Sequence, residues 1–456
     1  MSTKAQPAAM PDTAAPAKPP LGYSWYVVGV LTLVYMFSFI DRQILSLLVT
    51  PIRRDLGIGD TGMSILMGFS FAVFYTFFGI LLGRLADTRS RRNIIAGGFV
   101  LWSLFTAACG LARNFSQMLA MRVGVGVGEA SLSPAAYSLI TDYFPKELLA
   151  TAISVYSMGI YIGSGMAYLL GGVVVGIASA KETWMLPIVG ATRPWQAIFF
   201  LVGLPGLLVV LLMYTVREPL RRGVLYLAPR STVPMREVFT YIHENRATFS
   251  LHNLGFAMLC LSAYASGAWV PEFFHRTYNW PIPKVGIVYG VIVMIAGSAG
   301  LVAAGRIADR WRARGAADAN LRVGMWIAVF AMPVSALLYF APSGEWAAIW
   351  LVPAAFLAAA PFGIAPAAIQ QMMPAAMRGQ ASAVYLFVIN LIGLGIGPTA
   401  VAMTTQYVFR RDDAVRDSLA LVSIVSCALA VVLLRSAWSP YRASLERLKT
   451  RAAAHS

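Results

Sequence analysis

Four ionisable side chains lie inside long apolar stretches of the sequence, where a charge is costly. Asp41 and Arg42 are adjacent in the first stretch, and Arg122 and Glu129 lie in the fourth. A charged residue at the centre of a membrane helix costs about 2.5–3.5 kcal/mol on insertion scales, so such residues are functional candidates by default. Their charges sum to zero, which favours pairing. Carboxylates of this kind can exchange protons, and guanidiniums can bind anions.

The spacing predicts that these four residues share one polar cavity. At a rise of about 1.5 Å per residue, Asp41 lies roughly 24 Å into the first stretch, and Arg122 lies roughly 10 Å into the fourth, which runs the opposite way. Arg122 and Glu129 are seven residues apart, which is two turns on one helical face. We predict proton coupling at Asp41 and Glu129, and substrate binding or ion pairing at Arg42 and Arg122. The alternative is a static ion-pair cluster that only holds two helices together.

For other polar residues in the apolar stretches, the sequence gives weaker evidence of a functional role. Gln370 and Asn390 are predicted to be polar contacts to a substrate, with hydrogen bonding between helices as the alternative. Asp142 and Glu272, at the ends of the fourth and seventh stretches, are expected to be solvated end charges, with a part in the proton path as the alternative. The three cysteines have no metal-ligand spacing, and no catalytic or nucleotide-binding motif occurs. The sequence therefore predicts no cofactor, no metal and no enzyme activity.

The elements that must position these residues are membrane helices. Of 456 residues, 58% are hydrophobic and 12% are charged, whereas soluble globular chains are about 45–50% apolar and about 25% charged. This composition excludes a soluble enzyme and predicts an all-α polytopic membrane protein, because an open sheet cannot satisfy its backbone in lipid. The predicted spans are 25–50, 61–83, 93–112, 115–141, 150–177 and 195–216 in a first set of six, and 248–271, 285–305, 322–341, 346–372, 380–408 and 418–436 in a second.

The spans divide the chain into five parts. These are a disordered N-terminal tail at 1–24, a six-helix bundle at 25–216, a cytoplasmic linker at 217–247, a second six-helix bundle at 248–436 and a cytoplasmic tail at 437–456. With both termini in the cytoplasm, 24 of the 36 Lys and Arg residues lie on that side and 10 on the other. This bias follows the positive-inside rule. It accounts for the net charge of +16 without a nucleic-acid partner.

A short motif recurs at the same place in each set of six spans. The string G-R-x-A-D occupies 83–87 after the second span and 305–309 after the eighth, 222 residues later. We interpret this recurrence as an internal duplication. Two such halves, with G-x-L-A-D-x-x-x-R-R after the second span, resemble the major facilitator superfamily of secondary transporters. The resemblance implies gating roles for Asp87, Arg91, Arg92 and Asp309.

Longer strings are similar to one branch of that superfamily. S-F-I-D-R at 38–42, R-x6-E-A-S at 122–131, R-E-P at 217–219 and A-W-V-P at 268–271 resemble the Spinster family. The resemblance implies proton-linked transport of amphipathic lipids such as sphingosine 1-phosphate or lysophospholipids. It places the family's functional residues at Asp41, Arg42, Arg122 and Glu129.

The sequence thus favours a proton-coupled secondary transporter that moves a lysolipid or a sphingosine-phosphate-like lipid by alternating access. A proton-coupled symporter of small organic anions, such as a hexuronate or an aromatic acid, is the first alternative, and a passive lipid scramblase or channel is the second. The expected partners are protons, the lipid or organic-anion substrate and membrane lipids. We expect a monomer in the plasma membrane, which would be the inner membrane of a bacterium.

Overall fold

Helices dominate the computed structural model, which describes residues 20–187, 189–219, 235–374 and 377–454. Across these ranges, eleven helical stretches are long and apolar enough to cross a membrane. The predicted all-α polytopic fold is therefore confirmed.

The N-terminal half follows the apolar stretches of the sequence, with polar caps and glycines at their ends. Asn114 caps one helix by accepting a hydrogen bond from the Gln117 amide at 2.9 Å, and Gly57 ends another with a φ of 63°, a left-handed conformation that suits glycine. The helices are α1 (Leu21–Gln43), α2 (Val49–Leu56), α3 (Asp60–Ser64), α4 (Ser70–Thr88), α5 (Arg91–Cys109), α6 (Phe115–Glu129), α7 (Leu132–Tyr143), α8 (Lys146–Ala178) and α9 (Pro194–Thr215). Strands β1 (Trp184–Leu186) and β2 (Gly190–Thr192) form an antiparallel hairpin between α8 and α9.

The C-terminal half repeats this arrangement of long helices. Its first long helix, α11, ends at Asn279 with a φ of 54°, a conformation that asparagine tolerates better than most residues. The helices are α10 (Met235–Glu244), α11 (Arg246–Tyr278), α12 (Ile282–Ile292), α13 (Ser298–Ala313), α14 (Ala319–Tyr339), α15 (Gly344–Ala359), α16 (Pro361–Met372), α17 (Arg378–Ile389), α18 (Gly397–Met403) and α19 (Val415–Ala454).

The bundle has two distinct ends. We call the end from which the segment after α9 leads into the second half the linker end, and the end that carries β1 and β2 the hairpin end. The first residues of α1 lie at the linker end, where the Tyr23 hydroxyl donates to the Thr215 carbonyl at 2.8 Å. The helices α1, α5 and α8 therefore run from the linker end to the hairpin end, and α4, α6–α7 and α9 run back.

The fourth predicted span differs from a continuous helix. The chain forms α6 and α7, which are separated by a turn at Ala130 and Ser131. Pro134 in the first turn of α7 has no amide hydrogen to continue a helix from α6, and the Ser131 hydroxyl donates to the Gly128 carbonyl at 2.8 Å. A Cβ at Gly128 would lie 2.7 Å from the Trp102 amide nitrogen, so glycine lets α6 pack closely on α5.

Glycines also set the contact between the two halves, where α8 crosses α12. A Cβ at Gly290 would lie 2.5 Å from the Gly165 carbonyl oxygen, and one at Gly286 would lie 2.7 Å from the Gly172 Cα. Any side chain at these positions would push the helices apart. The halves therefore meet backbone to backbone, on the hairpin-end side of the bundle.

Several spans contain a π-helical turn. Two of them, Ile65–Phe69 and Val293–Gly297, lie in the spans that precede the repeated G-R-x-A-D motif. Two more, Asn390–Ile396 and Thr404–Phe409, flank α18. Such turns rearrange the backbone hydrogen bonds of a helix and are frequent at functional sites.

The segments outside the predicted bundles are more helical than expected. Helix α1 begins at Leu21, inside the predicted tail at 1–24, whose first 19 residues lie outside the described ranges. The predicted linker contains α10 from Met235 to Glu244, and its residues 220–234 also lie outside them. Helix α19 continues through the predicted C-terminal tail as far as Ala454.

Candidate functional site

The charged residues that the sequence places in the first and fourth spans meet between α1 and α6. Arg42 Nε lies 2.5 Å from Glu129 Oε2, and the Ser38 hydroxyl donates to the same oxygen at 3.0 Å. Glu129 is 1% exposed. Helix α1 places Ser38 and Arg42 four residues apart on one face, so both reach the same carboxylate. We call Asp41, Arg42, Arg122 and Glu129 the ion-pair site.

Aromatic rings surround the guanidinium of Arg42. Its central carbon lies 4.5 Å from the Phe71 ring centroid, 4.9 Å from that of Tyr75 and 5.2 Å from that of Phe39. Phe71 and Tyr75 stack on each other one turn apart on α4. The π faces stabilise the cation where water is scarce. The positive charge of Arg42 is therefore held by one carboxylate and three rings.

Arg122 donates to backbone carbonyls, whereas the sequence favoured an ion pair with a carboxylate. Its Nη1 donates to the Asp41 backbone carbonyl at 3.2 Å and its Nε to the Leu66 carbonyl at 3.3 Å. Among the described residues no carboxylate lies within ion-pair distance of Arg122, and its predicted role in substrate binding or ion pairing stays a prediction. Leu66 lies in a π-helical turn, where rearranged backbone bonding leaves a carbonyl for a side chain.

Two polar atoms of the ion-pair site have no hydrogen-bond partner among the described residues. They are Arg122 Nη2 and Glu129 Oε1, and both are buried. Arg122 is 0% exposed. A buried unsatisfied donor costs about 1–3 kcal/mol, and more when it is charged. The site therefore offers a free N–H and a free carboxylate oxygen to a proton or a ligand.

The structure does not join Gln370 and Asn390 to the ion-pair site. The Gln370 side chain is exposed on α16, and Asn390 is half-buried at the start of a π-helical turn. Within the described part of the chain, neither side chain hydrogen bonds to any of the four charged residues. Their predicted contact with a substrate stays a prediction.

At the linker end, Arg91 is the centre of a second ion cluster. Its guanidinium is 2% exposed, pairs with Asp142, and donates to Glu218 Oε1 at 2.8 Å and to the Ser138 hydroxyl at 2.9 Å. Asp142 is 7% exposed. The expectation that Asp142 is a solvated end charge is therefore wrong, because α5 begins beside the end of α7 and supplies a buried counter-charge.

Glu218 binds the beginning of α5. It accepts hydrogen bonds from the Ser90 hydroxyl and from the Arg92 amide, both at 2.9 Å. Burial acts to raise the pKa of Glu218, but these bonds and the one from Arg91 outweigh it and hold the pKa below its ordinary value. The first residues of the linker are thus attached to the N-terminal half. The R-E-P string contains Glu218, but the sequence does not indicate that Arg91 is its partner.

The other predicted gating residues make contacts within their own half. The Arg92 guanidinium lies 5.8 Å from the Tyr214 ring, and Asp309 is exposed and pairs with Arg312 at 3.2 Å. Asp87 lies near the end of α4, and its side chain lies outside the described part of the structure. Their gating roles stay predictions.

At the hairpin end, an ion network joins the two halves. Arg276 on α11 pairs with Asp60 on α3 at 2.8 Å and with Glu272 at 2.7 Å. Glu272 also accepts from the Thr50 hydroxyl, and Arg53 pairs with Asp60 at 3.1 Å. Glu272 is 0% exposed, so the expectation that it is a solvated end charge is wrong. We call these five residues the hairpin-end network.

In the described part of the chain, hydrogen bonds between the halves lie on one side of the bundle. Among the described residues they run from the hairpin-end network to the middle of α8, where the Tyr161 hydroxyl donates to the Ala359 carbonyl at 3.1 Å. Between these levels, Tyr168 donates to the Gly267 carbonyl at 2.7 Å. The ion clusters at the linker end stay within one half. The structure is therefore closed at the hairpin end.

Two helical halves that meet at one end, with buried charges in the spans, form the architecture of an alternating-access transporter. Residues 31–398 match the sequence model of the Major Facilitator Superfamily, and the chain belongs to that family. It is therefore a membrane transporter of this superfamily.

Curated relatives span several transporter types. The chain is 27% identical over 390 residues to an MFS-type efflux pump of Mycolicibacterium smegmatis, covering 84% of this chain and 85% of the relative. It is 26% identical to protein spinster of Drosophila melanogaster, with 61% and 44% covered, and 25% identical to a probable L-galactonate transporter of Escherichia coli, with 61% and 60% covered. The chain thus matches less than two thirds of the last two relatives.

A solved structure agrees over almost the whole chain. It is the crystal structure of a bacterial homolog of the human lysosomal transporter Spinster, in an inward-facing and unoccupied conformation. The TM-score is 0.77, with 26% identity, and 94% of this chain and 99% of that chain are covered. The predicted resemblance to a bacterial Spinster homologue is confirmed.

The hairpin-end network leads to a conformational prediction. Asp60→Asn removes the carboxylate that bridges Arg276 and Arg53, and loss of one partner of a buried ion pair costs about 3–5 kcal/mol. We expect the closed hairpin end to open in a large fraction of molecules. The distance between nitroxide labels at Arg54→Cys and Asp413→Cys, measured by pulsed electron resonance, should gain a longer component.

The matched control is Asp417→Asn, which alters a carboxylate at the same end that pairs with Arg411 and Arg416 inside the C-terminal half. The control should leave the label distance unchanged. An unchanged distance in Asp60→Asn would show that the network does not hold the end closed.

The attachment of Glu218 leads to a pH prediction. Glu218→Gln replaces hydrogen bonds to a charged group and should lower stability by about 1–2 kcal/mol at neutral pH. Because the folded pKa of Glu218 lies below its ordinary value, its contribution is present above the unfolded-state pKa of about 4.3 and is lost as pH falls through the folded value. The unfolding midpoint in detergent should therefore differ between wild type and variant at pH 7, and converge in acid.

Glu446→Gln serves as the control, since Glu446 is largely exposed and pairs only with Lys449 among the described residues, and such surface pairs contribute little. If the unfolding midpoint of Glu218→Gln stays as far below that of wild type in acid as at pH 7, ionised Glu218 is not the source of the stabilisation.

Proposed function

We propose that the chain is a proton-coupled secondary transporter that moves an anionic amphipathic lipid, of the lysolipid or sphingosine-phosphate type, by alternating access. The observation that carries this proposal is the ion pair of the partly buried Arg42 with the buried Glu129, beside Arg122 with its unsatisfied Nη2. The similarity to Spinster proteins supports the lipid class.

The pair of Arg42 and Glu129 can exchange a proton for an anion. With Glu129 ionised, its carboxylate neutralises Arg42 at 2.5 Å. A proton on Glu129 removes that negative charge and leaves Arg42 without a counter-ion. An unpaired buried charge costs several kcal/mol, so the protonated site favours binding of an anionic head group to the guanidinium. Proton and substrate therefore bind together.

Asp41 and Arg122 complete this scheme. Arg122 is fixed by the carbonyls of Asp41 and Leu66, and its free Nη2 supplies a second donor for a head group. We assign Asp41 as a second protonation site beside this guanidinium. Arg122 therefore keeps the local charge positive while the two carboxylates take up protons.

The rings around Arg42 suit the apolar part of an amphipathic substrate. Phe39, Phe71 and Tyr75 lie within 5.2 Å of the guanidinium. A head group that reaches Arg42 brings its first carbon atoms against these rings. Gln370 and Asn390 are proposed as contacts from the second half.

Alternating access would follow from rocking of the halves at 25–216 and 248–436. Breaking the hairpin-end network would open that end, and Asp87, Arg91, Arg92 and Asp309 would then meet the opposite half at the linker end. We place the linker end and both termini in the cytoplasm, because this orientation assigns 24 of the 36 Lys and Arg residues of the sequence to the cytoplasmic side. The proposed location is the bacterial inner membrane, with the chain as a monomer.

A proton-coupled symporter of small organic anions is the second candidate. The similarity to a probable L-galactonate transporter supports it, and Arg42 and Arg122 could bind a carboxylate as well as a phosphate. The two candidates differ in the apolar tail of the ligand.

Binding to the purified chain in detergent tests the proposal. We expect labelled lysophosphatidic acid to bind saturably, and more tightly at low pH than at high pH, because a protonated Glu129 frees Arg42. Arg42→Ala should reduce binding at least tenfold, which corresponds to loss of about 1.4 kcal/mol or more. Galactonate and a small aromatic carboxylate are measured beside the lipid.

Arg410→Ala, at an exposed arginine of the hairpin end, is the matched control and should bind as wild type does. Binding of only the small acids would favour the second candidate. Lipid binding that Arg42→Ala leaves unchanged would contradict the proposed role of the ion-pair site.

A further inference from the structure

A separate cluster of aromatic and cationic side chains lies at the linker end of the C-terminal half. It surrounds a cavity of about 250 Å³ between the junction of α13 and α14 and the later part of α19. The cavity is lined by Trp311, Arg314, Ala316, Arg322, Trp326 and Trp438. None of these residues belongs to the ion-pair site.

The cluster lies at the depth of a membrane surface. Arg322 and Trp326 are in the first two turns of α14, about 5–10 Å from its start at the linker end. Arg435 and Trp438 lie about 30–35 Å along α19 from the hairpin end, close to the thickness of a hydrocarbon core of about 30 Å. Tryptophan and arginine at this depth are typical of contact with lipid head groups.

Two guanidiniums share one indole ring in this cluster. The Trp438 ring centroid lies 4.9 Å from the Arg322 guanidinium carbon and 4.4 Å from that of Arg435. Asp318, which is buried, pairs with Arg322 at 2.8 Å and with Arg442 at 2.7 Å. One carboxylate thus serves two of the arginines.

Two further arginines of the cluster have no acidic partner among the described residues. Arg314 and Arg435 form no ion pair within 4 Å of any described residue. The buried Trp438 Nε1 also has no hydrogen-bond acceptor in the described part of the chain. The cluster therefore carries excess positive charge and a free N–H donor, which together call for an anion with several oxygen atoms.

We propose that this tryptophan–arginine site binds the phosphate of an anionic phospholipid from the surrounding bilayer. Phosphate oxygens match guanidinium donors and can accept from the Trp438 N–H. The apolar surface for the acyl chains is adjacent, since Trp326 is 44% exposed and Phe330, on the next turn of α14, is 56% exposed. Basic recesses between membrane helices recognise anionic lipid head groups in this way.

The bound lipid would hold three helices together at the linker end. Arg314 follows α13, Arg322 lies in the first turn of α14, and Arg435 lies on α19. Their mutual repulsion is relieved when one phosphate lies among them. The lipid should therefore stabilise the C-terminal half, independently of any transported substrate.

Native mass spectrometry of the full chain in detergent tests the proposal. Phosphatidylglycerol and phosphatidylcholine with identical acyl chains are titrated against the protein. We expect one phosphatidylglycerol to bind at least about tenfold more tightly than phosphatidylcholine, since each arginine near an anionic lipid surface increases affinity roughly fivefold. Combined Arg314→Gln and Arg435→Gln should abolish this preference, and neither change strands an acidic partner.

The matched control is the combination of Arg236→Gln and Arg246→Gln, which removes two exposed arginines at the same end outside the cluster and should retain the preference. Phosphatidylglycerol should also raise the unfolding midpoint of wild type and of the control, but not of the Arg314 and Arg435 variant. Trp438→Phe, which keeps the aromatic ring and removes the N–H, should weaken binding severalfold.

Three results would overturn the proposal. The first is an unchanged preference in the Arg314 and Arg435 variant, and the second is an equal loss in the Arg236 and Arg246 control. The third is displacement of phosphatidylglycerol by inorganic phosphate at the same concentration, which would make free phosphate the ligand in place of a lipid.

Discussion

A guanidinium inside a membrane bundle needs a counter-anion, and the arrangement around Arg42 follows from this requirement. Glu129 supplies the anion at 2.5 Å, and three rings cover much of the remaining surface of the cation. Because charge in such surroundings is screened little, a change at Glu129 acts on Arg42 with nearly its full electrostatic effect. In the proposed mechanism, proton binding and anion binding are therefore linked through this one contact. The neighbouring Arg122 is fixed by the backbone carbonyls of Asp41 and Leu66.

The packing of the bundle holds the two halves together at one end. Glycines let α6 pack on α5, and they let α8 and α12 cross backbone to backbone between the halves. The crossing of α8 and α12 joins the halves only on the hairpin-end side, where the hairpin-end network adds buried ion pairs. The linker end has its own ion clusters, but each stays within one half. In the proposed mechanism, a change of charge at the ion-pair site shifts an interface that is held at one end.

Much of the fold could be predicted from the sequence, because apolar length and charge bias are local properties. The four buried charges were also visible, since a membrane span tolerates few of them. The sequence could not predict which partner each charged side chain contacts. Arg122 binds backbone carbonyls, one of which lies in a π-helical turn that has no sequence signal. Asp142 and Glu272 are buried because other segments, at the start of α5 and in α2, supply Arg91 and Thr50. Such contacts join residues far apart in sequence, so spacing within one span does not reveal them.

The central claim is that an anion on Arg42 replaces the charge of Glu129, and counting protons during binding tests it most directly. Lysophosphatidic acid is added to purified protein in weakly buffered detergent solution near neutral pH, and proton uptake is followed with a pH-sensitive dye. The account predicts uptake of at least one proton per ligand bound by wild type, and about one proton fewer by Glu129→Gln, whose side chain is already neutral. Saturable binding to wild type without proton uptake, or equal uptake by Glu129→Gln, would contradict it.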